Sequence, residues 1–183
     1  MNTPLHRLPG DPAPRETIAR MLRVDHAGEF GAVRIYAGQL AVLGRSGHMA
    51  GEIRRMAAAE ARHLARFEDL LRERRVRPTL LYPLWSILGY ALGAATALAG
   101  APAAMACTVA VEEVIDEHYR TQADYLADEE PGLREEILAF RNDEIAHRDT
   151  ALASGAEQTP LFDVLTGAVR AASRLAIGLS TRL

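Results

Sequence analysis

The chain is 183 residues long, with a formal charge of −3, one cysteine and 5% aromatic residues. That length is enough for one domain burying roughly 70% of its unfolded surface and short for two, and the mixed charge argues against a surface built for nonspecific nucleic-acid binding. The lone Cys107 excludes an intrachain disulfide framework and suits a reducing compartment.

Residues 1–14 are polar and proline-rich, without an apolar run or a cluster of positive charge, so they read as a flexible arm with neither a secretory signal nor a transit peptide. A helix opens at Pro14 or Thr17 and runs to about Leu43, where Gly44-Arg-Ser-Gly47 ends it. Its core stripe is Leu22, His26, Glu29, Val33, Tyr36, Leu40 and Leu43. A second helix, about His48 to Arg75, aligns Ile53, Met56, Glu60, His63, Phe67 and Leu70. From Pro78 to Val111 no residue is charged, and Pro83 and Pro102 bracket a helix-length piece that contains Gly89 and Gly93. The helix from about Pro102 to Asp128 aligns Met105, Val109, Glu112, Asp116, Tyr119 and Ala123; the one ending near Ser154 aligns Ile137, Phe140, Glu144, His147 and Ala151. After a linker over residues 155–160, Leu161 to Leu183 makes a weakly amphipathic last helix. The pattern predicts an all-α chain of about six helices. It is a single domain over residues 15–183, a ferritin-like four-helix bundle with a long crossover helix and an extra C-terminal helix.

Four of these helices carry ionisable residues on faces that should be core. Glu60-Ala-Arg-His63 and Glu144-Ile-Ala-His147 repeat one Glu-x-x-His pattern, and Glu29 and Glu112 precede the two copies by 31 and 32 residues. Residues three apart on a helix share a face, so each motif presents a carboxylate and an imidazole to one centre. One glutamate of a motif can bridge two metals while its histidine binds one; Glu29 and Glu112 can complete each shell or add to the bridging. Two divalent ions would balance four carboxylates, whereas metal-free burial of all four would force several to take up protons. The oxygen and nitrogen donors suit iron or manganese better than zinc, and the lack of nearby thiolates argues against an iron–sulfur cluster. A single Glu-x-x-His in a glutamate-rich helical chain is ordinary coincidence; the matched pair of copies is what points to metal, with zinc or a purely structural ion as the alternative.

Around these ligands, Asp116 and Asp143 are placed to accept a proton from a ligating imidazole across the bundle, or are ordinary helix-surface acids. Asp25 and His26 lie one turn before Glu29, where His26 can equally be a hydrogen-bonded core histidine. His118 is rotated about 120 degrees from Glu112 and is not placed as a ligand. It falls on the Val111 and Ile115 side, for a substrate or redox role or for packing, while Tyr119 lies on the metal stripe. The uncharged stretch is long enough to span a bilayer, yet glycines and prolines interrupt it. The preferred reading is peripheral: residues 80–104 and 161–183 form membrane-facing helices, with Tyr82, Trp85 and Tyr90 near headgroup depth.

With Asp25-His-Ala-Gly-Glu-Phe-Gly31, Glu60-Ala-Arg-His63, Ala106-Cys-Thr-Val-Ala-Val-Glu-Glu113, His118-Tyr119, Asp143-Glu-Ile-Ala-His147 and Arg174-Leu-Ala-Ile177, the chain resembles the demethoxyubiquinone hydroxylase family of ubiquinone biosynthesis over about residues 15–183. The resemblance implies a di-iron monooxygenase that hydroxylates the ring of a polyprenyl methoxy-methyl benzoquinol with dioxygen, with NADH as electron donor. It places the iron ligands on Glu29, Glu60, His63, Glu112, Glu144 and His147, and a His-Tyr pair linked to electron transfer on His118 and Tyr119. It further implies a bacterial member acting at the cytoplasmic face of the inner membrane, with a homo-oligomer or a lipid-binding accessory protein left open. The rival readings are another ferritin-like di-iron oxidase or peroxidase, and a membrane quinone-binding protein without turnover.

Overall fold

The computed structural model describes residues 12–44 and 48–183. The arm expected over residues 1–14 therefore lies outside the described residues as far as residue 11, as do residues 45–47 of the first turn. Six helices follow: α1 (Pro14–Leu43), α2 (His48–Arg74), α3 (Tyr82–Leu98), α4 (Ala101–Glu129), α5 (Pro131–Ala153) and α6 (Phe162–Ser180), with a 3-10 turn at Ala156–Gln158. No strand occurs among the described residues. Proline in the first turn opens α1, α3, α4 and α5, where its missing N–H costs nothing. Arg75, at φ 55°, leaves the helical region and ends α2, while Gly100, at φ 118°, separates α3 from α4.

α1 packs on α2 and α3, and α4 packs on α5 and α6. Side-chain pairs fix the directions. Arg66 to Glu136 and Arg74 to Glu130 set α2 antiparallel to α5, Arg170 to Glu113 and Arg174 to Glu117 set α6 parallel to α4, and Trp85 to Ser180, with the Leu80 N–H on the Leu183 carbonyl, sets α3 antiparallel to α6. The chain is thus two three-helix halves facing each other, α1 with α4, α2 with α5 and α3 with α6. The extra C-terminal helix expected of the bundle is α6, and it is the counterpart of the crossover helix α3.

Two apolar clusters close the bundle on either side of the ligand layer. Leu22, Phe67, Leu70, Leu126 and Ile137 belong to one, and Ile53, Met56, Met105 and Val109 to the other. α3 lies almost backbone to backbone on α1: a Cβ on Gly93 would overlap the Ile35 carbonyl oxygen. The uncharged stretch is two different things. Its first part is α3, and its last part, residues 103–110, is the fully buried opening of α4. Among the described residues no helix is long and apolar enough to cross a membrane. Among the described residues, the exposed large apolar side chains other than Val42 lie on α3, α6 and the residues flanking them, Ile87, Leu88, Leu175 and Leu179 included.

Candidate metal centre

The core-facing glutamates and histidines of α1, α2, α4 and α5 converge in the middle of the bundle. Glu29, Glu60, His63 and Glu144 form one group, and Glu60, Glu112, Glu144 and His147 a second, with one donor atom of each residue within 4.8 Å of the others in its group. All six side chains are buried. The groups share Glu60 and Glu144, the glutamates of the two Glu-x-x-His motifs.

Both imidazoles turn Nδ1 to the centre. His63 Nδ1 lies 3.2 Å from Glu144 and 3.5 Å from Glu29; His147 Nδ1 lies 2.8 Å from Glu60 and 3.4 Å from Glu144. Despite these distances, neither Nδ1 has an aligned hydrogen-bond partner, and neither has any oxygen of Glu60 or Glu144. Donor atoms that approach closely without bonding one another are aimed at a common point, and buried polar groups left so cost about 1–3 kcal/mol each unless something else satisfies them. Glu29 and Glu112 differ, because only Oε2 of each lacks a partner. Their Oε1 atoms accept from tyrosines: Tyr36 Oη donates to Glu112 at 2.8 Å, and Tyr119 Oη donates to Glu29. The shared glutamates thus offer two free oxygens each, as a bridge requires, and the outer glutamates one.

Protonation follows the same geometry. Burial, then the neighbouring carboxylates, pushes Glu60 and Glu112 well above the usual carboxylate range. Burial also raises Glu29, outweighing its contact with His63. Glu144 is the exception: against burial, contacts from both imidazoles hold it down at about 2. His63, opposed by burial but drawn up by Glu144 and Glu29, rises to about 10. Tyr36 and Tyr119, pushed well above 10 by burial and nearby carboxylates, remain hydroxyl donors. A cluster that must hold protons when it lacks cations, with oxygen and imidazole donors aimed inward, fits divalent metal ions.

The residues beyond the ligands divide. Asp143 Oδ2 lies 3.0 Å from His63 Nε2, so it accepts from that imidazole across the bundle. Asp116 does not reach an imidazole; it accepts from Arg141 Nε at 2.5 Å. Asp25 Oδ1 receives His118 Nε2 at 3.1 Å and Gln122 Nε2 at 2.7 Å, which makes it the buried anchor of a polar group running to the partly exposed His118. His26 is a buried core histidine whose ring stacks 5.7 Å from that of Tyr82 and whose Nδ1 has no hydrogen-bond partner.

Sequence reasoning placed Tyr36 on the core stripe without a role and passed over Gln39 and Gln122. The signal was present: Glu29-x6-Tyr36-x2-Gln39 recurs as Glu112-x6-Tyr119-x2-Gln122. Seven and ten residues are about two and three helical turns, so each trio lies on one face.

A helix bundle with a buried, duplicated glutamate and histidine cluster defines a ferritin-like protein built to hold metal at its centre. Residues 16–180 match the family described as "Ubiquinone biosynthesis protein COQ7". The chain is 57% identical over 177 residues to the Rhodospirillum rubrum 3-demethoxyubiquinol 3-hydroxylase, covering 97% of this chain and 84% of that protein. It is 50% identical over 173 residues to the human NADPH-dependent 3-demethoxyubiquinone 3-hydroxylase, mitochondrial, covering 92% and 79%. It is 41% identical over 180 residues to the Saccharomyces cerevisiae 5-demethoxyubiquinone hydroxylase, mitochondrial, covering 90% and 77%. The chain belongs to the COQ7 family.

Proposed function

We propose that this protein hydroxylates the ring of a demethoxyubiquinol, using dioxygen and two iron ions held by Glu29, Glu60, His63, Glu112, Glu144 and His147. The observation that carries the reading is an apolar cavity that lies beside the buried glutamate and histidine cluster and extends to the exposed apolar side of α3. The cavity, about 180 Å³, lies between α1, α3, α4 and α6, and its wall includes Gly28 and Val111, the chain neighbours of Glu29 and Glu112. Its other wall includes Leu88, which is 49% exposed on the outer face of α3. A quinol ring can lie against α1 and α4 while its polyprenyl tail leaves between α3 and α6. The names of the three relatives supply the ring.

Two ferrous ions bound there would supply electrons to dioxygen, one oxygen atom going to the ring carbon and the other leaving as water. The protein's share is positional. Glu60 and Glu144, which belong to both donor groups, would be shared by the two ions, Glu29 and Glu112 would each add one oxygen, and Asp143 orients the His63 ring. The apolar wall excludes water from the reacting carbon. Tyr119, on Glu29, and its neighbour His118, partly exposed, form a short side-chain route from the surface to the centre, in keeping with the electron-transfer role that the resemblance gives the pair. The donor is a reduced nicotinamide: the resemblance implies NADH, and the human relative is named NADPH-dependent. The apolar outer faces of α3 and α6 support peripheral attachment to the cytoplasmic side of the inner membrane.

The test is anaerobic loading with iron(II), followed by oxygen and a demethoxyquinol analogue. Quinol-dependent oxygen uptake with one oxygen atom added to the ring, at two irons per chain, is the expected result. Zinc alone in the purified protein, or iron without quinol-dependent uptake, overturns the proposal; uptake without a hydroxylated ring makes the chain an oxidase instead.

A further inference from the structure

The contact between Tyr36 and Glu112 crosses from one half of the molecule to the other. Tyr36 belongs to α1, on the face that carries Glu29 two turns earlier, yet its hydroxyl donates to the glutamate of α4 at 2.8 Å. Tyr119 makes the reverse crossing from α4 to Glu29. Each outer glutamate is therefore held by the half it does not belong to. The hydroxyl occupies Oε1 of Glu112, and Oε2 is the oxygen left without a partner at the centre. Tyr36 is 2% exposed and its ring is packed in the apolar cluster containing Ile53, Met56 and Met105, so the hydroxyl is fixed by the core and cannot be replaced by water from solvent.

We propose that Tyr36 is a positioning residue for the metal position formed by Glu112 and His147: by donating to Oε1 it restricts Glu112 to a single-oxygen ligand and holds Oε2 toward that metal. The proposal rests on the two-metal reading above. It assigns the two tyrosines to different metal positions, Tyr36 to the Glu112 and His147 side and Tyr119 to the Glu29 and His63 side. Removing a hydrogen-bond partner of a ligand costs about 10–100-fold in metal affinity, which sets the expected scale.

The experiment titrates the metal-free full-length chain with cobalt(II), whose visible bands report coordination, in wild type, Tyr36→Phe, Tyr119→Phe, Glu112→Gln and the Tyr36→Phe/Glu112→Gln pair. Wild type should take up two equivalents. Tyr36→Phe should weaken one equivalent by at least about tenfold and change the band shape of that equivalent only. Tyr119→Phe should weaken the other, and Tyr36→Phe should add nothing in the Glu112→Gln background. Melting of the metal-free proteins separates packing from positioning, since a packing role lowers stability without selecting one metal equivalent. Two equivalents bound as in wild type by Tyr36→Phe, both weakened alike, or an undiminished effect of Tyr36→Phe when combined with Glu112→Gln would overturn the proposal. A wild-type chain that binds no metal pair overturns the two-metal reading itself, a distinguishable failure.

Discussion

The two halves agree at the ligands and part company just behind them. Glu29 and Glu112, the two Glu-x-x-His motifs, Tyr36 and Tyr119, and Gln39 and Gln122 correspond one to one. Where the α1 half places Asp25, the α4 half has Thr108; where α4 places His118, α1 has Ile35; where α5 has Asp143 before its motif, α2 has Ala59. Consequently Gln122 donates to a buried carboxylate and Gln39 to a backbone carbonyl and, at 3.4 Å, a threonine hydroxyl. His63 has the Asp143 carboxylate behind it, whereas the residue that matches Asp143 in the other half is Ala59. The Glu29 and His63 side of the centre is therefore backed by acids and leads to the partly exposed His118, while the Glu112 and His147 side is backed by neutral groups. Equal ligand sets with unequal surroundings should make two unequal metal positions, the Glu29 and His63 one holding its cation more tightly.

Breaking the symmetry at a shared residue should have the largest effect. Glu60→Ala removes a donor from both groups and should abolish binding of both ions in a metal-content assay, whereas Glu29→Ala should lose one and keep the other. The packing of α3 and α6 gives a second contrast. Gly93→Ala forces a methyl group into the Ile35 carbonyl and should destabilise by about 1–3 kcal/mol. At Gly167 of α6 an added Cβ meets nothing within 4 Å, so Gly167→Ala should stabilise by about 0.5–1 kcal/mol in chemical denaturation. Asp143→Ala should weaken the tighter metal equivalent alone, by roughly tenfold or more, and bring the two affinities closer together in the same cobalt titration.

The metal-free fold also depends on pH. His63, raised to about 10 in the metal-free fold, contributes stability that is present below its unfolded value of 6.5 and is lost as pH rises toward 10. The raised carboxyls of Glu29, Glu60 and Glu112 act in the same direction, because the fold prefers them protonated. Metal-free protein should therefore melt at progressively lower temperature between about pH 6.5 and 9. The stabilisation gained on adding metal should grow over that range, because the ligands must give up their protons to bind. A melting temperature of metal-free protein that rises through this window would contradict the assignment.

Much of this was legible from residue spacing, because a ligand on a helix must recur on the core face and a glutamate in an apolar stripe stands out. The bounds of α2 and the end of α5 fall within a residue of those expected for the same reason: proline, glycine and charge punctuate them. Three things were not legible. Tyr36 and Tyr119 look like core aromatics until the partner helix is in place, since each serves a glutamate about eighty residues away. Asp116 and Asp143 are both acids near the ligand stripes, and only the approach of α5 to α2 and of Arg141 to α4 tells which meets an imidazole. The uncharged run reads as one element because composition does not distinguish a helix facing outward from one buried on every side.

The central claim is that the two Glu-x-x-His glutamates bridge a pair of metals across the halves. Anomalous diffraction at the iron edge from iron-loaded crystals tests it directly. Two peaks about 3.5–4 Å apart between Glu60 and Glu144, one next to His63 and the other next to His147, are predicted. A single peak, or iron bound away from these glutamates, would contradict it.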